Sequence, residues 1–172
     1  FFETVRAYSR DVLAYAPSDG DPALIDAIIR YYSGYGMEFE RRNVLITYGA
    51  SEAIAHTLMA VCDPGDEVLI PEPFYANYKT FVQSVSGVVV PITTKAEQGF
   101  HLPGREEIEQ KITPRTRAII LCHPGNPTGT VFTRAEMEMV ADLARTHGFF
   151  ILADEVYREF VYDGLEYVSF GS

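Results

Sequence analysis

Short apolar runs rich in β-branched residues recur along the chain: Val44 to Thr47, Val68 to Ile70, Val88 to Ile92, Ala118 to Cys122 and Phe149 to Ala153. Runs of this length, bounded by turn residues, predict buried strands. Between them apolar positions fall at helical spacing. Ala53, Ile54, Thr57, Leu58 and Val61 form one stripe, and Met137, Val140, Ala141 and Ala144 form another. The punctuation agrees with this reading. Asp21 before Pro22 predicts a capped helix start, Thr133 with Glu136 has capping-box spacing, and Gly148 closes the last helix. Asp63 to Asp66 predicts a turn, and the polar stretch Thr93 to Leu102 predicts a surface loop. Strand and helix signals alternate, so the expected class is α/β: a mainly parallel sheet with helices on both faces.

Composition narrows the partners. The 172 residues carry 14 basic against 24 acidic side chains, a formal net charge of −10, with no lysine or arginine cluster. Non-specific nucleic-acid affinity comes from a basic face, so no nucleic-acid partner is expected. The longest apolar runs fall far short of the roughly 20 residues that a membrane-spanning helix needs, so no membrane partner is expected either. Cys62 and Cys122 sit in apolar segments. That placement fits reduced, buried thiols in a cytoplasmic protein better than a disulfide framework. The chain starts at Phe1 without an initiator methionine and stops at Ser172 without a tail-like composition. The expectation is a piece of a longer enzyme.

In an open α/β sheet, ligands bind at the carboxyl ends of the strands. After the first run come Gly49, Ala50 and Ser51, a small-residue turn feeding a helix. Its free amides suit a phosphate, although Ser51 as a simple N-cap explains the same residues. After the second run, Phe74, Tyr75 and Tyr78 place aromatic rings on that edge. Tyr75 suits stacking on a planar ligand, while Phe74 and Tyr78 read as half-buried helix-start residues. The fourth run leads into His123 to Gly129, where prolines and glycines fix the direction of the single amide Asn126. The fifth runs into Asp154, Glu155, Val156 and Tyr157. A carboxylate at the end of a buried strand needs a partner: a helix N-terminus, Arg158, or a protonated heterocyclic nitrogen.

In this order, the segments Tyr15 to Leu24, Gly49 to Ser51, Asp63 to Val68, Asn126 to Gly129 and Asp154 to Tyr157 resemble the class I and II aminotransferases. These enzymes of the aspartate aminotransferase fold (fold type I) depend on pyridoxal 5′-phosphate (PLP). The resemblance implies that Asp154 pairs with the cofactor's pyridine nitrogen and that Asn126 and Tyr157 bind its phenolic oxygen. It implies that Tyr75 stacks on the ring and that Gly49, Ala50 and Ser51 form the phosphate turn. Tyr15 then reaches the cofactor of a neighbouring subunit in a homodimer. Residues 1–40 would be an N-terminal segment and first helix leading into the large domain, with 41–172 the PLP-binding large domain, incomplete. Lys79, Lys95 and Lys111 lie in the wrong contexts, so the Schiff-base lysine is expected beyond Ser172 and no catalytic residue within the chain. His123 is read as a loop residue and not a base, because the family's general base is that lysine. No metal site is implied.

The implied activity is transfer of an amino group between an α-amino acid and a 2-oxo acid, in amino-acid metabolism and biosynthesis. Carbon–sulfur lyases and decarboxylases on the same fold, or a non-catalytic sensor domain of a transcription regulator, stay as alternatives.

Overall fold

The computed structural model describes residues 1–9, 12 and 14–172. The chain forms two compact units, Phe1–Ile46 and Thr47–Ser172. In the first lie α1 (Phe2–Arg6) and α2 (Pro22–Ser33). Asp21 caps α2 as its sequence predicts, accepting hydrogen bonds from the amides of Ala23 and Leu24 at 2.7 and 3.3 Å. Gly20 is required beside it: φ is +112°, and a Cβ there would lie 2.3 Å from Ile46 Cγ1.

The second unit contains, in chain order, α3 (Ala50–Val61), β1 (Glu67–Glu72), α4 (Asn77–Ser84), β2 (Val88–Thr93), α5 (Arg105–Glu109), β3 (Thr116–Cys122), α6 (Arg134–His147) and β4 (Phe150–Asp154). The strands form one parallel sheet in the order β2-β1-β3-β4. Alternate side chains serve opposite faces, as strand geometry requires. Leu69, Ile119 and Leu121 pack with Ile108 of α5 and with Met137, Val140 and Leu143 of α6. Val68, Ile70, Ala118 and Ile120 pack with Leu58 of α3 and with Tyr78 and Val82 of α4. Helices therefore cover both faces. Among the described residues no helix is long and apolar enough to cross a membrane.

The capping box at Thr133 and Glu136 and the left-handed Gly148 bound α6 as expected. Several expectations need correction. Val44 to Thr47 is not a strand: Val44 is extended, but among the described residues no strand lies beside the segment, and Ile46 gives its amide to the Asp19 carbonyl. Extended backbone becomes a strand only when a neighbour takes its hydrogen bonds. The strands are also unequally buried. β1 and β3 are central, whereas β2 and β4 are edges, with Val88 48% and Phe150 51% exposed. Cys62 and Cys122 are free thiols, but only half-buried.

The Thr93–Leu102 stretch is more than a surface loop. It contains a 3-10 turn at Ala96–Gln98, and His101 Nδ1 and the Leu102 amide both reach the Glu136 carboxylate at the start of α6. Its Gly99 carbonyl accepts a 2.8 Å bond from the Thr130 hydroxyl. That contact buttresses the loop that carries Asn126.

Candidate cofactor site

Ala50, Ser51, Tyr75, Asn126, Asp154 and Tyr157 line one open cleft of about 230 Å³ at the carboxyl ends of β3 and β4. Space of that size takes a molecule several times larger than water. Its floor includes Tyr78 and Cys122, which the pattern of the sequence does not assign to the site.

One wall is the start of α3. Gly49 is the N-cap, at φ +91°, and it has no side chain to offer the helix. Ser51 is therefore not the N-cap; it sits within the first turn. The only acidic group in that turn, Glu52, folds back to accept the Tyr48 amide at 2.6 Å. The first-turn amides thus have no capping side chain, and with the helix dipole they favour an anion.

The end of β4 also lines the cleft. Asp154 Oδ2 accepts a 2.6 Å hydrogen bond from the Tyr78 hydroxyl, and Oδ1 accepts one from the Val156 amide at 3.2 Å. Among the described residues, the side chain that hydrogen-bonds this carboxylate is thus that of Tyr78. Arg158, an alternative partner, lies 3.6 Å from Glu155 Oε2. Tyr78 is fully buried, and burial followed by its bond to Asp154 pushes its pKa far above the usual phenol range. It stays protonated and can only donate to the carboxylate. Burial also raises the Cys122 pKa, against the opposing effect of a hydrogen bond with Tyr78.

Tyr75 is 36% exposed at the rim, held by a 2.6 Å bond from Asn77 Nδ2 to its hydroxyl and by edge-on packing against Tyr78. Phe74 packs at the margin of the α3/α4 core. Tyr78 does stand at the start of α4, but it is fully buried and not half-buried: a core residue with its polar tip in the site. The sequence signal for that is spacing: Tyr78 and Val82, four apart, are the two buried residues of α4. Tyr15 lies in the first unit and is fully exposed.

A model of the family described as aminotransferase class I and II matches residues 3–170. The aspartate/prephenate aminotransferase of Thermus thermophilus is 35% identical over 160 residues, covering 92% of this chain and 41% of that protein. A probable aspartate/prephenate aminotransferase of Aquifex aeolicus is 36% identical over 166 residues, covering 96% of this chain and 42% of that protein. Among solved structures, Thermus thermophilus aspartate aminotransferase with maleate superposes with a TM-score of 0.85 at 35% identity, covering 90% of this chain and 41% of that one. An aromatic aminotransferase from Pyrococcus horikoshii gives 0.86 at 33%, covering 91% and 42%. The chain therefore spans about two fifths of the length of the relatives it matches.

Proposed function

The chain belongs to the class I and II aminotransferase family, and on that premise we propose that it forms most of the cofactor-binding domain of a PLP-dependent aminotransferase. The observation that carries the proposal is one cleft lined both by uncapped helix amides and by a part-buried carboxylate at the end of an edge strand. The residues present fit PLP: an anion site, an acid site and a flat aromatic lie around one space large enough for a small heterocycle. When bound, the cofactor supplies an electron-accepting ring that makes the substrate α-carbon acidic.

The amides of Ala50 and Ser51 bind the phosphate, with the Ser51 hydroxyl as a further donor. Asp154 holds a proton on the pyridine nitrogen through a charge-assisted bond, an interaction of about 1.5 to 3 kcal/mol. Tyr78 fixes that carboxylate from below. The Asn126 amide and the Tyr157 hydroxyl orient toward the ring's phenolic oxygen, and Tyr75 covers one ring face. These groups bind, orient and hold charge. The proton shuttle at the α-carbon belongs to a lysine in a segment following Ser172 of the longer protein, and Tyr15 to the cofactor of a second subunit of a cytoplasmic homodimer.

Amino-group transfer is favoured over lyase or decarboxylase chemistry because the matched relatives named above are aminotransferases. Their names span aspartate, prephenate and aromatic amino acids, so the proposal commits to an α-amino acid and a 2-oxo acid as substrates. The full-length protein, titrated with PLP and supplied with amino donors and 2-oxoglutarate, is expected to bind the cofactor and form glutamate. Binding without any turnover favours the sensor reading, and no binding removes the proposal.

A further inference from the structure

His123 sits at the exit of β3, 1% exposed, with its ring between two others. It stacks on Tyr167 at 4.8 Å and 17° and on Phe132 at 5.6 Å and 13°. Its Nδ1 lies 3.1 Å from the Phe132 amide. An amide can only donate, so Nδ1 is the acceptor, and the ring is neutral with its proton on Nε2.

That bond closes the base of a loop. Between His123 and Phe132 the chain carries Asn126, and inside the loop the Gly125 amide bonds to Thr130 O at 2.9 Å and the Gly129 amide to Gly125 O at 2.8 Å. The loop is tight: a Cβ on Gly125 would lie 2.6 Å from Thr128 Oγ1. The His123 amide, for its part, donates to the Asp154 carbonyl at 2.9 Å. One residue thus grips the far end of the Asn126 loop with its ring and the end of β4 with its backbone.

The surroundings hold the ring in place. The Arg158 guanidinium lies 5.4 Å from the centre of the Tyr167 ring and 3.6 Å from Glu155, whose Oε1 accepts a 2.7 Å bond from the Ser169 hydroxyl. Burial pushes the His123 pKa down, while Glu155, the Val168 backbone and Glu136 pull the other way. Tyr167, itself titratable, stacks on the ring, and Arg158 lies over the ring of Tyr167.

We propose that His123, as a neutral hydrogen-bond acceptor, is the positioning residue that holds Asn126 in register with Asp154. The proposal rests on the cofactor reading above and concerns a residue that touches neither cofactor nor substrate. Two variants of the full-length protein separate its roles. His123→Phe keeps an aromatic ring in the stack and removes the acceptor, whereas His123→Asn keeps an acceptor near the Nδ1 position and removes the ring. The PLP dissociation constant and the pH midpoint of the bound cofactor's absorbance are expected to change in His123→Phe, by roughly tenfold and by about half a pH unit. In His123→Asn both are expected to stay within about twofold and a few tenths of a unit of the parent. Amide exchange at Phe132, measured without cofactor, is expected to speed up in His123→Phe only. Unchanged PLP affinity and midpoint in His123→Phe, or equal losses in both variants, would overturn the assignment. An unchanged Phe132 exchange rate in His123→Phe defeats the latch on its own, whereas a parent protein that fails to bind PLP defeats the cofactor reading beneath it.

Discussion

Tyr78 donates a 2.6 Å hydrogen bond to Asp154 across 76 residues of sequence. The donor stands in the first turn of α4, between β1 and β2, and the acceptor ends β4 at the far edge of the sheet. The bond therefore ties the start of α4 to the end of β4 beneath the cleft. Burial keeps the phenol protonated, so it can only donate to the carboxylate, and the bond fixes which way that carboxylate faces.

Removing that hydroxyl tests its role. Tyr78→Phe in the full-length protein is expected to weaken PLP binding by roughly tenfold, since a hydrogen bond to a charged group contributes about 1.5 to 3 kcal/mol. The ring still fills its place in the core, so the far-ultraviolet circular dichroism should be unchanged. A parent-like PLP dissociation constant would leave Tyr78 a packing residue only.

Asp154→Asn keeps an acceptor for Tyr78 but loses the negative charge. Turnover is expected to fall by at least about a hundredfold while the protein remains folded, because a neutral amide holds a pyridinium proton poorly. Near-normal turnover would remove the role given to this carboxylate.

The start of α3 can be tested through the ligand as well as the protein. Gly49 adopts a φ of +91°, and a Cβ there would meet nothing within 4 Å, so an alanine faces backbone strain and not a steric wall. Gly49→Ala should disturb the first turn at a cost of about 1 to 3 kcal/mol. PLP affinity is expected to drop more than pyridoxal affinity, because only PLP carries the phosphate. Equal losses for both ligands would place the phosphate elsewhere.

Glu136 gives a pH prediction. Burial alone would raise its pKa, but bonds from the Thr133 amide and hydroxyl, His101 and the Leu102 amide outweigh burial and lower it. A lowered folded-state pKa means that the stabilisation is complete above the unfolded value, near 4.5, and is lost as pH falls through the folded one. At pH 7, Glu136→Gln is expected to cost about 1 kcal/mol, the scale of a lost cap. Thermal midpoints of parent and variant should converge between about pH 5 and pH 3. Parallel curves over that range would contradict the assignment.

Local features are legible in the sequence and long-range ones are not. The runs at Val68, Val88, Ala118 and Phe149 form strands as their local apolar pattern predicts, and the caps at Asp21 and Thr133 form because a cap depends on residues within one turn. Val44 to Thr47 has the same composition and no ladder, since pairing depends on a strand that composition cannot supply. That Ala50, Asn126 and Asp154 lie at the carboxyl edge of the sheet is legible, because each ends or follows a strand or opens a helix. Tyr78 is not, because its polar partner lies in another element. His123 reads as a mere loop residue for the same reason: only folding brings Phe132 and Tyr167 to its ring.

The most direct test of the cofactor reading is a crystal structure of the full-length protein grown with PLP. The account predicts the pyridine nitrogen within about 3 Å of an Asp154 carboxylate oxygen and the phosphate on the amides of Ala50 and Ser51. A ring placed with its nitrogen away from Asp154, or a phosphate away from the first turn of α3, would contradict it.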